Sequence, residues 1–379
     1  MGNANRGRIM PAPKHTIEEI QAAIAEEGSK AGAARKLGLD LRSMFRRLNR
    51  AENREGYTAH GYSTLRKFTD DEGEVILEWE KTSKDKQQQA EAFDEYAKGL
   101  MSKIKPSKPI KAPKVQNTDL INLFVISDYH LGMMAWHGDN TDAGDWDMKI
   151  AEDLLFKWFQ TAIVQAPDAD TAILCELGDF LHWDGMDAVT PSHGNILDAD
   201  TRWGKLTRVA AKLKRRIIGL LLEKYSQVHV KLVSGNHDPA SSGLYRVMMD
   251  EIYINEPRVT VDMSSDLYHV FEFGNTSLFF HHGHKRSPKN VAEVFIAKFR
   301  EIYGRTEFSY AHLGHRHSTQ VAEGNLMIVE QHSTLAAPDA YAAHGGWVSK
   351  RNAKVSTYHK KYGKVGELVI SPDMVWGAK

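Results

Sequence analysis

Five short clusters of aspartate, asparagine and histidine punctuate the later part of this 379-residue chain, and they are the residues equipped for chemistry. In order they are Asp128-Tyr129-His130, Gly178-Asp179, Gly235-Asn236-His237-Asp238, His281-His282-Gly283-His284 and Gly314-His315-Arg316-His317. Their donors are oxygen and nitrogen without thiolate. That set suits Mn²⁺, Fe, Zn²⁺ or Mg²⁺ better than a structural zinc site, with Mn²⁺ the expected ion and Ni²⁺ a further alternative. Two divalent ions about 3.5–4 Å apart need a shared carboxylate and about three further ligands each. Asp179 is the natural bridge, because Gly178 lets the chain turn tightly before it. Asp128/His130 and His315/His317 are spaced i, i+2, which on an extended segment puts both side chains on one face.

Such clusters need strands to deliver them. Leu123-Phe124-Val125-Ile126 leads towards Asp128, Ala172-Ile173-Leu174-Cys175 towards Asp179, and Val228-His229-Val230-Lys231-Leu232-Val233 towards Gly235. Ser277-Leu278-Phe279-Phe280 and Tyr310-Ala311-His312-Leu313 lead into the two histidine-rich clusters. Buried strands of an open α/β fold present polar side chains at their carboxyl edge in this way. Helical patterns over 149–165 and 202–225 alternate with the first strands, which predicts a parallel sheet. The second half predicts hairpins: 267–271 with 277–280 around Gly274-Asn275, Val321 with 326–329 around Gly324-Asn325, and 355–358 with 365–370. A two-sheet α/β sandwich flanked by helices follows.

The order D-x-H, G-D, G-N-H-D, H-G-H, G-H-x-H resembles the signature of the calcineurin-like metallophosphoesterases, and the resemblance spans about 119–372. The G-N-H-D form is similar to that of the DNA-repair exonuclease branch. The resemblance implies a four-layer αββα sandwich with a dinuclear site. Asp128, His130 and His317 would hold one ion, Asn236, His282 and His315 the other, with Asp179 shared. His282 is preferred over His281 and His284 because the family's ligand directly precedes the glycine. A hydroxide between the ions is then expected to attack phosphorus, with Asn236 stabilising the phosphoryl charge. His237 resembles the general acid, oriented by Asp238.

The amino-terminal segment has a separate logic. Thr16 is placed to cap a helix beginning at Ile17, with Glu18 and Glu19 in its first turn. A short second helix through Ala33, Ala34 and Leu37 ends at Gly38, and 41–50 predicts a third. This string resembles a Fis-type helix-turn-helix, which implies that Arg42, Ser43, Arg46, Arg47 and Arg50 face DNA; a helical packing or dimerisation module with solvated arginines is the bland alternative. The first 50 residues carry ten Lys/Arg against five Asp/Glu, a net of +5. A hairpin is expected over 62–83, a helix over 85–103, and a solvated tether over 103–114, which holds five lysines and three prolines. The domains are thus 1–55 (helix-turn-helix), 56–118 (connector) and 119–379 (metallophosphoesterase).

Composition bounds the function. The apolar share of 42% predicts a sizeable core, and the 49 basic residues balance 49 acidic ones. The lone Cys175 permits no internal disulfide, and the absence of a long apolar run predicts no membrane partner; a cytoplasmic location fits both. Three features favour a nucleic-acid substrate, and hence a metal-dependent DNA nuclease, over a small-nucleotide phosphatase or a DNA-binding regulator with a non-catalytic phosphoesterase domain. They are the head, the basic series Arg202, Lys205, Arg208, Lys212, Lys214, Arg215 and Arg216, and the acid-free stretch 347–364 with Lys350, Arg351, Lys354, Lys360, Lys361, Tyr358 and Tyr362. Trp183 is a candidate base-stacking residue or a core residue under its loop. His284, Lys285 and Arg286 are placed to meet substrate, and His332, His344 and Trp347 to line the opposite rim. A DNA-binding head on this catalytic type resembles proteins carried by bacteriophages, and a homodimer is left open.

Overall fold

The computed structural model describes residues 15–27, 30–40, 44, 57–67, 74–84, 105–113, 117–136, 138, 144–346 and 350–377. The chain divides into two compact units, Met1–Ser102 and Lys103–Lys379.

In the smaller unit, α1 (Ile17–Glu27) and α2 (Lys30–Leu37) pack through Ile20, Ala23, Ala33, Ala34 and Met44, all buried. The start of α1 is a reciprocal capping box. The Glu19 N–H donates to Thr16 Oγ1 at 3.2 Å, and the Thr16 N–H donates to Glu19 Oε2 at 2.9 Å. Gly38, at φ +62°, turns the chain after α2. The helix expected over 41–50, with Arg42, Ser43, Arg46, Arg47 and Arg50, lies outside the described residues apart from Met44. The expected hairpin is present as antiparallel β1 (Tyr57–Lys67) and β2 (Glu74–Lys84). The helix expected over 85–103 lies outside the described residues.

The larger unit is an α/β fold built on two mixed sheets. The first has the order β13-β12-β3-β4-β5-β6, and the second β10-β11-β9-β8-β7. Strands β3 (Leu120–Ile126), β4 (Thr171–Glu176), β5 (Gln227–Leu232) and β6 (Val259–Val261) are parallel neighbours. They are linked through α3 (Met148–Gln165), α4 (Trp203–Lys224) and α5 (Pro239–Tyr253). β7 (His269–Phe273) and β8 (Thr276–His281) form a hairpin, followed by α6 (Val291–Lys298), α7 (Arg300–Arg305) and β9 (Phe308–Leu313), parallel to β8. β10 (Gln320–Glu323) and β11 (Ile328–Gln331) form the next hairpin. After α8 (Ala340–His344), β12 (Ala353–His359) and β13 (Gly363–Ile370) return antiparallel to the edge of the first sheet, and α9 (Pro372–Trp376) follows.

Side-chain alternation explains the layering. Ile121, Leu123 and Val125 of β3 meet Leu278 and Phe280 of β8 in the core between the sheets. Phe124 points the other way, stacking on Phe159 of α3 at 5.8 Å and meeting Tyr225 edge-on at 5.9 Å. Phe279 likewise leaves the inter-sheet core to pack on Phe295 of α6. Strands apolar on both faces therefore sit between two helical layers. The connector 105–113 carries no helix or strand, as expected, but it is not a free tether. The Ser107 N–H donates to the Ile252 carbonyl at 2.8 Å, and the Ile110 N–H to Glu256 Oε2 at 3.0 Å.

Candidate metal centre

Each candidate ligand sits just beyond a strand end. Asp128 and His130 follow β3, Asp179 follows β4, and Asn236 follows β5; His282 follows β8, and His315 and His317 follow β9. Backbone conformation singles out the same positions. Among the described residues, the non-glycine residues with positive φ are Asp128 (49°), His130 (47°), Asp179 (52°), His315 (76°) and His317 (53°). Left-handed backbone costs a side-chain-bearing residue about 1–2 kcal/mol, and such strain concentrates at functional sites. This corrects the expectation that the i, i+2 pairs share a face through extended backbone. Both members of each pair are left-handed and lie in tight turns. Close approach explains the neighbouring glycine: a Cβ on Gly235 would stand 2.0 Å from Asp179 Oδ1.

The ligand atoms converge in two groups, Asp128/His130/His317 and Asp179/His282/His315. In the first, His130 Nε2 is 3.2 Å from His317 Nε2, which lies 3.4 Å from Asp128 Oδ1. In the second, His282 Nε2 is 3.0 Å from both Asp179 Oδ2 and Asn236 Oδ1. His282 Nδ1 donates to the Leu177 carbonyl at 2.7 Å, which directs Nε2 inward. His281 instead turns away, stacking on Tyr268 at 4.4 Å. Asp128 Oδ2 accepts from the Ser127 hydroxyl and from the His315 N–H at 2.8 Å.

The donor set fits cations. Asp128 and Asp179 are buried, and Asp128 Oδ1 accepts no hydrogen bond. Burial would raise both carboxyls, but the neighbouring histidines outweigh it and hold them below the usual carboxylate range. Burial likewise opposes charge on His282, yet Asp179 and Asp128 lift it to about 10. Burial pushes His130 well down, helped by His237 and His317, leaving the neutral imidazole a ligand needs. Without metal, a proton on His282 thus stands in for a cation beside the two carboxylates. Asn236, His237, His284, His315 and His317 are part-exposed, so the group opens to solvent on that side.

Two residues act differently from the sequence reading. Asp238 does not orient the His237 ring. Its carboxylate accepts the N–H groups of Asp179, Phe180, Leu181 and Gly235 at 2.8–3.2 Å, locking the two loops together. The partner of His237 Nδ1 is the His182 carbonyl at 2.7 Å. His182 was not singled out by sequence, yet its Nδ1 is 3.2 Å from His130 Nδ1 and its ring stacks on His237 at 5.7 Å. The one signal available was its position three residues after Asp179.

Several substrate-contact expectations are corrected by burial. Trp183 is 1% exposed and packs near Trp203, so it is a core residue and does not stack on bases. Lys214 is buried against Glu176, with Phe180 and Tyr245 around its ammonium. Lys354 is tied to Glu330 and Glu367, and Tyr358 lies between the sheets. Lys360 pairs with Asp119, while Lys361 and Tyr362 remain exposed. His332 is also buried, hydrogen-bonded to His312 beside Glu330; because Lys354 and Lys364 already neutralise that carboxylate, we read this as an internal network. His344 is exposed, and Trp347 lies outside the described residues. Lys285 and Arg286 are exposed two and three residues beyond Gly283.

No protein-family model matches the chain, and no curated protein matches it. Among solved structures it is similar to a predicted phosphoesterase from Streptococcus pneumoniae, at 12% identity and a TM-score of 0.28, over 66% of this chain and 98% of that one. It is similar to an archaeal phosphodiesterase at 12% identity and a TM-score of 0.33, over 66% and 99%. A dimetal phosphatase from Danio rerio gives 9% identity and a TM-score of 0.34, over 66% and 98%.

Proposed function

We propose that the larger unit is a calcineurin-like phosphoesterase that uses two divalent metal ions to hydrolyse phosphodiester bonds of DNA. The observation that carries the reading is the convergence of five left-handed residues, the buried Asp128 and Asp179 among them, with Asn236 and His282. Asp128, His130 and His317 would hold one ion and Asn236, His282 and His315 the other, with Asp179 shared; Mn²⁺ is the ion we propose, with Mg²⁺, Fe, Zn²⁺ or Ni²⁺ as alternatives. Such ions supply Lewis acidity and activate water at neutral pH.

The protein's own groups do the rest. His237 gives its Nδ1 to a backbone carbonyl, so Nε2 is the atom at which the ring takes up and releases a proton. Its ring lies 4.9 Å from that of His130 and is part-exposed, where it meets the oxygen leaving phosphorus. Asn236 presents its amide beside His282 and would bind a phosphoryl oxygen as negative charge develops. Arg202, Lys205, Arg208, Lys212, Arg215 and Arg216 are exposed on or beside α4, and Lys285 and Arg286 stand near the ligand cluster; they support a polyanionic substrate. The basic amino-terminal head supports DNA in particular, read as a helix-turn-helix.

End-labelled single- and double-stranded DNA, incubated with the protein and Mn²⁺ or Mg²⁺, tests this directly. Cleavage should require the metal and disappear in Asp128→Ala. Hydrolysis of para-nitrophenyl phosphates or cyclic nucleotides with every DNA left intact would refute the nucleic-acid reading and favour a small-nucleotide enzyme.

A further inference from the structure

The connector is built on a period of three. Lys105, Lys108 and Lys111 recur every third residue, and so do Ser107, Ile110 and Pro113. Burial follows the same period: the three lysines are exposed, whereas Ser107, Ile110 and Pro113 are part-buried. A left-handed polyproline helix has three residues per turn and rises about 3.1 Å per residue, so each register forms a straight edge. One edge is clipped to the larger unit through three hydrogen bonds. They are Ser107 N–H to Ile252 O at 2.8 Å, Ile110 N–H to Glu256 Oε2 at 3.0 Å, and Arg258 Nη2 to Ile110 O at 2.6 Å. Glu256 is itself buried and held by Arg258. The exposed lysine register sets one ammonium group every third residue, about 9 Å of extended chain apart, and none of the three pairs with a described residue.

We infer that residues 105–111 are a fixed strap that binds the sugar-phosphate backbone of a nucleic acid at a distance from the metal centre. The inference rests on the proposed DNA substrate. A free lysine-rich tether would lose conformational entropy on binding a polyanion, and a clipped one has already lost most of it. The strap docks at the carboxyl end of α5, whose amino end follows Asn236 and His237; fifteen residues of helix separate the two ends by about 22 Å. The lysine edge is about 19 Å long. A strand reaching from the metal centre to the strap must therefore be several nucleotides long, which makes the strap a distal anchor that favours long substrates over nucleotides.

Binding of a long single-stranded DNA by the full chain, in chelator and across about 50–200 mM salt, tests the strap without any turnover. Each backbone phosphate neutralised on a single strand contributes roughly 0.7 to the slope of log affinity against log salt. The triple variant Lys105→Gln/Lys108→Gln/Lys111→Gln should therefore lower the slope by about 2. Ile110→Pro, which removes a clipping N–H while keeping every lysine, should weaken binding of the same strand. An unchanged slope in the triple variant overturns the strap even if metal-dependent cleavage of DNA is intact, so the two readings fail separately. Lysine dependence without any effect of Ile110→Pro overturns the fixed geometry. Binding to phosphatidylserine vesicles but not to DNA overturns the choice of ligand.

Discussion

His182 offers the sharpest test of how the metal centre is held. Its imidazole is buried, and Nδ1 lies 3.2 Å from Nδ1 of His130, the nitrogen facing away from His317. That contact gives His130 Nδ1 a buried partner for a proton, which would leave Nε2 free to hold an ion. In the second ligand group the same duty falls to the Leu177 carbonyl on His282. Removing a group that orients a metal-ligating histidine usually lowers metal affinity 10–100-fold, or about 1.4–2.7 kcal/mol. His182→Ala should therefore weaken the ion held by Asp128, His130 and His317 by that factor and spare the other. The His182 carbonyl survives the substitution, so the His237 anchor is retained. Calorimetric titration of metal-free protein with Mn²⁺ should then show two phases in place of a single tight one. Equal weakening of both ions, or no change beyond twofold, would refute the division of labour between side chain and carbonyl.

Two further outcomes follow from burial and backbone strain. Lys214→Met leaves Glu176 buried without its cation and should cost about 3–5 kcal/mol in urea unfolding near pH 8. Burial already raises the Glu176 carboxyl despite Lys214, and losing the cation raises it further, so the folded variant carries a neutral acid at low pH. The loss should be small near pH 5 and grow by at most about 1.4 kcal/mol per pH unit above that, with the pH dependence abolished in Lys214→Met/Glu176→Gln. His315→Gly and His315→Ala both delete the ligand, but only glycine is at ease at φ +76°. Relief of about 1–2 kcal/mol, less about 0.5–1 for glycine's freedom in the unfolded chain, should leave the glycine variant more stable than the alanine variant without metal by about 0.75 kcal/mol at the centre of those ranges. Equal unfolding midpoints would remove the argument from strain.

Apolar runs and turn signals made most strands of the larger unit and its three hairpins legible, because burial on both sheet faces demands apolar residues along a whole strand, whereas the short β6 was not foreseen. The fate of individual polar side chains was not legible in the same way. Lys214 reads as one more cation on a basic helix until β4 brings Glu176 beneath it, 38 residues away in sequence. Lys354 and Tyr358 look like a nucleic-acid surface in sequence, yet β12 pairs with β3 and turns both inward. Trp183 was ambiguous for the same reason, since only the packing of α4 decides whether its loop is open. The helix expected over 41–50, with its five candidate DNA contacts, lies outside the described residues apart from Met44, and the salt dependence of binding by the head is the measurement that bears on it.

The candidate ligands stood out in the sequence by type and order, but for an incomplete reason. Spacing of i, i+2 suggested extended backbone, whereas each such residue is left-handed. Five residues at about 1–2 kcal/mol each amount to roughly 5–10 kcal/mol, comparable to the whole net stability of a typical domain. Such backbone persists only if other contacts over-determine it, and each of the five is so held. Asp128 N–H donates to Gly178 O at 3.1 Å, His130 N–H to Asp179 O at 3.0 Å, and Asp179 N–H to Asp238 Oδ1 at 3.0 Å. His315 N–H donates to Asp128 Oδ2 at 2.8 Å, and the His317 carbonyl accepts from the Ser333 hydroxyl at 3.2 Å. Asp238 is central to this scheme because one carboxylate receives four backbone donors from two loops. Its place after His237 suggested service to the imidazole; its geometry serves the turns that aim Asp179 and Asn236 at the same point in space.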